Sequence, residues 1–327
     1  ADHARGEVML DNNDNVYIAS STQSSNFPTT LSSHSQSLSG HIDGVVCKLS
    51  PNLNTLIWST YIGGSSADAA YSIRVDDVNN QSIICGGTRS NNIATPGTIN
   101  PIRPGGTDGF IATFDNSIGS MNALTYLGTS SYDQSYIVEL DDQNNIYVAG
   151  QTNGNYPVSP GVYNNPGSNQ FIHKINKDLN TTYFSTVFGS NNSSNVNISL
   201  TAFLVDKCDN IYVAGWGNGS TYNMPITSNA IQSTTDGNDF YFIVLNRDAQ
   251  NLLYGTYYGG TGGYGEHVDG GTSRFDKEGI ITSKTNNGAY TATHLRTISI
   301  PFSGSGTFTF DIDPVATFGT RLSGGRM

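Results

Sequence analysis

Four strand-length apolar runs in each copy of a tandem repeat, strong turn signals between them and no helical periodicity predict an all-β chain: a β-propeller of four-stranded antiparallel blades. The strings EVMLDNNDNVYIAS, SIRVDDVNNQSIICGG, IVELDDQNNIYVAGQT and AFLVDKCDNIYVAGWG share one pattern, and SRFDKEGIITSK is a weaker fifth copy. Their anchoring aspartates, Asp11, Asp76, Asp141, Asp206 and Asp276, are spaced 65, 65, 65 and 70 residues apart. The expectation is about five repeats, at roughly 7–69, 70–134, 135–199, 200–270 and 271–327, in one propeller domain over 1–327, the last copy degenerate.

The first strand of a copy alternates. Tyr71, Ile73 and Val75 are interleaved with Ser72, Arg74 and Asp76, the period of two of a strand. The second is continuously apolar, as in Ile146, Tyr147, Val148 and Ala149, which suits a strand covered on both faces. A polar, often Pro-containing segment leads to the third strand (GVVCKLS, GFIATFD, QFIHKIN, FYFIVLN), and the fourth is aromatic and ends near Gly (LIWSTYIGG, ALTYLGT, YFSTVFGS, LLYGTYYGG).

Composition narrows the function classes. The 327 residues are 36% hydrophobic and only 13% charged, with 37 Gly and a net charge of -11, which repels a phosphate backbone; no nucleic-acid partner is expected. No run approaches the roughly 18 apolar residues of a membrane helix, so no membrane insertion is expected, and ADHARGEVML has no signal-peptide pattern. The chain reads as a mature or excised segment. Cys47, Cys85 and Cys208 form neither a disulfide framework nor a zinc signature. Cys47 aligns with Ala112 and Cys85 with Ala149 and Ala214, so both read as small core residues, whereas Cys208 in DKCDN reads as exposed.

The motifs D-x-x-x-N-[IV]-Y-[VI]-A-[GS], F-P-T-T, D-G-[FV] and S-T-Y-[IL]-G-G resemble the bacterial SBBP, or seven-bladed β-propeller, repeat over roughly residues 7 to 282. The resemblance implies a secreted or cell-surface protein of Bacteroidota, of a kind often joined to immunoglobulin-like modules and a sorting domain for type IX secretion. No such sorting domain is recognisable in this sequence. The family name implies more than five blades, so flanking blades of a longer parent chain are expected.

Few residues suggest chemistry. Asp11, Asn13 and Asn15 alternate, as do Asp141 and Asn145, and alternating oxygens can begin a calcium loop. The glycine and distal Glu of such a loop are missing, and Asp and Asn at a hairpin turn readily bond their own backbone, so the turn reading is preferred and no cofactor is expected. Asp43, Asp108 and Asp239, with Asn169 in the remaining copy, recur before the third strand, and recurrence reads as a structural turn instead of a glycosidase pair. Two positions before each anchor stand Met9, Arg74, Glu139, Leu204 and Arg274, which make no carboxylate ring. The six histidines, His3, His34, His41, His173, His267 and His294, show no metallohydrolase spacing, and Gly63-Gly64 and Gly259-Gly260 lack a P-loop Lys.

The connections between second and third strands, about 22–43, 88–107, 152–168 and 217–238, are long, and long loops commonly carry function. Phe27, Tyr156, Tyr163, Trp216 and Tyr222 in and beside them are the ligand-binding candidates, able to stack on a glycan or a partner protein or to pin their own loops. The expected function is a non-catalytic extracellular or cell-surface binding, adhesion or scaffold module. Its alternatives are a spacer in a surface filament or large adhesin and a glycoside hydrolase-like propeller enzyme.

Overall fold

The computed structural model describes residues 6–191, 196–217 and 219–262, together with strand segments 274–275, 281–282, 298–301 and 307–310. The anchor Asp276 of the fifth copy, with His3, His267 and His294, lies outside the described residues. The chain divides into two compact units, residues 1–159 with 169–187 and residues 160–168 with 188–327.

The first unit holds three four-stranded antiparallel sheets, each with neighbours in sequence order. They are β1 (Glu7–Leu10), β2 (Val16–Thr22), β3 (Asp43–Leu49) and β4 (Leu56–Ile62); β5 (Asp68–Asp76), β6 (Gln81–Thr88), β7 (Asp108–Asp115) and β8 (Met121–Leu127); and β9 (Asp133–Leu140), β10 (Ile146–Thr152), β11 (Gln170–Ile175) and β12 (Thr182–Phe188). The second unit holds a fourth such sheet, β13 (Ser199–Val205), β14 (Ile211–Trp216), β15 (Phe240–Leu245) and β16 (Leu252–Tyr258). Two antiparallel pairs follow, β17 (Arg274–Phe275) with β18 (Ile281–Thr282) and β19 (Ile298–Pro301) with β20 (Thr307–Phe310). Sheets of this up-and-down order, one per 65-residue copy, are the blades of a β-propeller.

Each hairpin has a local cause. At the first turn of the first, third and fourth blades the anchor Asp accepts main-chain N–H groups two and four residues on, and the residue three after it turns left-handed: Asp14 after Asp11, Asn144 after Asp141 and Asp209 after Asp206; in the second blade Asp76 accepts the N–H of Asn79, and Asn80 is left-handed. Asp and Asn tolerate that conformation better than other residues with a side chain, which is why the copies read D-N-N-D-N, D-D-Q-N-N and D-K-C-D-N. The Gly of the V-A-G motif has a different cause. The first strands of the second, third and fourth blades, β5, β9 and β13, carry a bulge opposite it, and a Cβ at Gly86, Gly150 or Gly215 would stand 1.9, 2.3 or 2.6 Å from the carbonyl oxygen of Ala69, Gln134 or Ser199, whereas the first blade has Ser20 there.

Apolar faces pack sheet against sheet. Tyr17, Val46, Trp58 and Ile62 of the first blade meet Ile73, Ile84, Phe110, Phe114 and Leu124 of the second. Trp58 stacks on Phe114, meets the edge of Tyr17 and donates its indole N–H to Asn116 O at 2.9 Å. Ile83, Cys85, Ile111 and Leu127 likewise pack on Val138, Ile146, Val148 and Phe171. In the second unit Ala202, Tyr212, Ala214, Phe242 and Tyr254 form the corresponding core. Cys47 and Cys85 are buried as expected, Cys208 is exposed, and none of the three forms a disulfide.

The polar residue between the apolar ones of β5 is not on a wet face: Ser72 is as buried as Tyr71 and Ile73. Its hydroxyl is used across sheets, donating to Glu7 and accepting from the main-chain N–H of Val138 at 3.2 Å.

Candidate functional site

The long loops do not fold back as free excursions. Each lies along the outer edge of the fourth strand of its own blade. Thr30 N–H donates to Ser59 O at 3.1 Å, and Tyr61 N–H to Ser35 O at 3.1 Å; Thr95 N–H donates to Leu124 O and Tyr126 N–H to Asn100 O; Ser159 N–H donates to Ser185 O; Thr227 N–H donates to Gly255 O and Tyr257 N–H to Gln232 O. The hydroxyls of Thr60, Thr125 and Thr256 accept the N–H groups of Ser35, Asn100 and Gln232. An edge strand is thereby covered by a polar ribbon, which removes a template for strand pairing.

The Tyr of the S-T-Y motif completes this latch. Tyr61, Tyr126 and Tyr257 accept through their hydroxyl oxygens from the N–H groups of Phe27, Ile93 and Met224, and Tyr61 and Tyr126 donate to Ser24 O and Ser90 O. Tyr126→Phe should therefore leave Ile93 N–H and Ser90 O without their partner and lower unfolding free energy by about 1–2 kcal/mol, read from the urea midpoint.

The predicted aromatics have separate fates. Tyr156 is not a surface residue: it is 6% exposed, its ring stacks on Phe171 at 4.1 Å and 6°, and its hydroxyl lies 2.9 Å from His173 Nδ1. Burial pushes His173 down to about 4, so that imidazole is neutral, and its Nε2 lies 2.8 Å from Thr182 Oγ1. This internal chain withdraws Tyr156 from the binding surface. Phe27 is half-buried, edge-on to Tyr61, and Tyr163 is half-buried with its N–H on Ala249 O at 2.7 Å. Trp216, the last residue of β14, is half-buried opposite Phe240. Tyr222 is the exposed one, at 49%, its hydroxyl donating to Asp236 O. Attention to aromatics missed the aliphatics on the same ribbons: Leu31, Ile102, Val158, Ile226 and Ile231 are exposed. For the first four the signal was a Pro one to three residues before, in FPTTL, NPI, YPV and MPI.

The calcium candidates resolve into turn chemistry. Asp11 Oδ1 accepts the N–H groups of Asn13 and Asn15 at 2.9 Å each, its Oδ2 accepts Asn15 Nδ2 at 2.8 Å, and Lys48 Nζ lies 3.4 Å away. Burial works to raise the Asp11 carboxyl, but the hydrogen bonds from Asn15 and Asn13 with the Lys48 charge hold it below its ordinary value. Asp141 repeats the pattern with Gln143, Asn145 and Lys174 Nζ at 3.2 Å. An ammonium stands beside each carboxylate, also over the ring of Tyr17 or Tyr147. Among the described residues no group of three or more His, Cys, Asp or Glu is arranged to hold a metal ion.

The densest polar cluster joins the three inner strands of the first unit. Arg74 on β5 places Nη1 2.9 Å from Glu7 Oε1 on β1 and pairs through Nη2 with Glu139 on β9. Glu7 Oε2 accepts the hydroxyl of Ser72 and the N–H of Ile73 at 3.0 Å. Burial works against the Arg74 charge, but Glu139 and Glu7 more than restore it, so the proton is held firmly. Comparing positions at a fixed distance from each anchor found Arg74 and Glu139 but not Glu7. It sits two residues before Met9 and so on the same strand face. One guanidinium between two carboxylates fastens three sheets together and leaves neither carboxylate unpaired for proton transfer.

Asp43, Asp108 and Asp239 are buried where the loops enter β3, β7 and β15, as a recurring turn residue should be. Asp43 accepts the N–H groups of Ser39 at 2.6 Å and Gly40 at 3.2 Å, Asp108 that of Gly105 at 3.2 Å with Arg103 Nη1 at 3.3 Å, and Asp239 the Gln232 amide at 3.1 Å.

The family comparison agrees with this architecture. Residues 124–157 match the SBBP β-propeller repeat, so the chain carries that repeat across the junction of its second and third blades. No curated protein matches the chain. Among solved structures it is similar to the luciferin-regenerating enzyme (8% identity, 86% of this chain and 69% of that one, TM-score 0.41). It is also similar to the Dos1 propeller (10% identity, 76% and 50%, TM-score 0.38). A third is the extracellular domain of a protein described as a one-component system from B. thetaiotaomicron (14% identity, 83% and 30%, TM-score 0.33). The chain thus spans half of the Dos1 propeller chain and less than a third of the chain of that extracellular domain.

Proposed function

We propose that this propeller is a non-catalytic binding or scaffold module of an extracellular or cell-surface protein, meeting a glycan or a partner protein through its loop ribbons. The observation that carries this reading is the division of labour among the side chains. The ionised groups of the inner strands neutralise one another around Arg74, and the anchor and loop-end aspartates are spent on their own turns. The ribbons, by contrast, turn Leu31, Ile102, Ile231 and Tyr222 outward. Low charge with abundant Asn, Ser and Thr and the SBBP repeat support an extracellular setting. No helix among the described residues is long and apolar enough to cross a membrane.

The test is a glycan array and a polysaccharide hydrolysis panel run on the same purified protein. Saturable binding is expected, weakened by about 1–3 kcal/mol in Tyr222→Ala without a change in melting temperature. Tyr156→Ala should lose stability instead, because its ring is part of the core. Hydrolysis of any panel member that Glu139→Gln abolishes would replace this reading with the glycosidase one. Absence of binding would favour the spacer.

A further inference from the structure

At two blade junctions of the first unit, a pair of carboxylates is sealed from water on one side of a glycine. Asp108 opens β7 and Asp133 opens β9, and both are fully buried. A Cβ on Gly128 would stand 2.3 Å from Asp108 Oδ1 and 3.1 Å from Asp133 Oδ2, so the two carboxylates converge on one point. The preceding junction repeats this: a Cβ on Gly63 would stand 2.6 Å from Asp68 Oδ2 and 3.0 Å from Asp43 Oδ1, both residues again buried.

The partners do not supply enough positive charge. Asp133 Oδ2 accepts the N–H and hydroxyl of Thr129 at 2.7 and 2.8 Å, and Asp108 Oδ2 accepts Gly105 N–H and Arg103, while Asp108 Oδ1 has no hydrogen-bond partner. Asp68 takes neutral donors, the hydroxyls of Thr88 and Ser90 and the N–H of Gly64, and Asp43 takes only main-chain N–H groups. The other titratable groups around the pairs are Tyr126, which feels Asp68, Asp108 and Arg103, and Tyr156, which feels Asp133. Both phenols are pushed upward by burial first and stay neutral, and His41 beside Asp43 is solvent-exposed. One guanidinium thus faces four buried carboxyls.

The internal repeat adds an independent sign. In the third copy the position of Asp43 and Asp108 is an amide, Asn169. An amide keeps the size and hydrogen bonding of a carboxylic acid without its charge, and this position therefore asks for shape and polarity more than for ionisation.

We propose that the Asp108–Asp133 pair retains one proton at neutral pH and is a pH-sensitive latch whose second ionisation weakens the packing of the second blade on the third. Two carboxylates sharing a buried site cannot both ionise at their ordinary pKa. Burial, with the Asp133 charge adding to it against the Gly105 hydrogen bond, pushes Asp108 up to about 7. Asp43, Asp68 and Asp133 are raised as well, each chiefly by burial. A carboxyl whose folded pKa lies above its unfolded value binds more protons in the folded state, so its contribution is present at low pH and is lost as pH rises through 7.

The test is thermal unfolding of the full chain at pH 5.5 and 8.5, for wild type, Asp108→Asn and Asp133→Asn, with infrared spectra at pH 6. Wild type should melt roughly 3–6 °C lower at pH 8.5 than at pH 5.5. Asp108→Asn should flatten that slope and melt above wild type at pH 8.5, and the protonated-carboxyl band at pH 6 should diminish in either variant. If both variants keep the full wild-type slope, or both melt below wild type at pH 8.5, the latch is refuted. Should one variant fail to fold, the other and the wild-type spectrum decide, and a wild type with no protonated-carboxyl band at pH 6 refutes it outright.

Discussion

Arg74→Ala is expected to lower the unfolding free energy of the first unit by about 3–5 kcal/mol, the usual consequence of removing one member of a buried ionic network. The guanidinium is 14% exposed and stands between Glu7 at 5% and Glu139 at 15%, so water cannot take its place. Its loss leaves the two carboxylates without the cation that stands between them. Stability should then be regained on acidification, as the two glutamates become protonated. The triple variant Glu7→Gln, Arg74→Met, Glu139→Gln should lie near wild type, because it removes the desolvation cost together with the attraction. Urea unfolding of the three proteins at pH 5 and pH 8 measures this, and a loss below about 1 kcal/mol in Arg74→Ala at pH 8 would show the cluster to be solvated, like a surface ion pair.

What could be read from the chain and what could not divide along one line. Features set within a hairpin were legible. The anchor aspartates and the left-handed residues after them are local chemistry, shared by Asp11, Asp141 and Asp206, and they gave the blades and the strand order. Features set between blades were not. The pairing of Glu7 with Arg74 spans 67 residues and depends on which blade faces which, so comparing equivalent positions of single copies could not find it. The same applies to Asp108 with Asp133: each was visible as a recurring residue, but their approach across Gly128 was not.

The loops failed for a related reason. Length and aromatic content said that residues 22–43 and 152–168 leave the sheet, and nothing local said where they go. The Thr and Tyr of each S-T-Y motif were in view as strand residues, yet their hydroxyls are the receptors that draw a ribbon along the strand edge. Phe27, Ile93 and Met224 share that latch, while Tyr156 stands where the latch is missing, Val187 replacing the Tyr two residues after Ser185. Its ring turns inward onto Phe171 instead, which explains why the best-looking sugar platform in the sequence is core.

Gly150→Ala is expected to cost about 3–5 kcal/mol, the far end of what a single added methyl does, because nothing around it can yield. The new Cβ would stand 2.3 Å from Gln134 O and 2.3 Å from Phe171 Cζ. The carbonyl belongs to the strand bulge in β9, and the ring is fully buried with Tyr156 stacked against it. Relief would require the bulge to straighten, and a strand moved by one residue sends its side chains to the opposite face. Gly97→Ala separates this crowding from backbone strain. Gly97 has a φ of +89° and nothing within 4 Å of its Cβ position, so alanine there meets only the left-handed backbone penalty of about 1–2 kcal/mol. Equilibrium unfolding of the two variants should show Gly150→Ala the more damaging by a factor of about 2 or more. Equal losses would mean that β9 and β10 can slide apart, and that the glycine shared by three blades as Gly86, Gly150 and Gly215 owes its place to conformation instead of space.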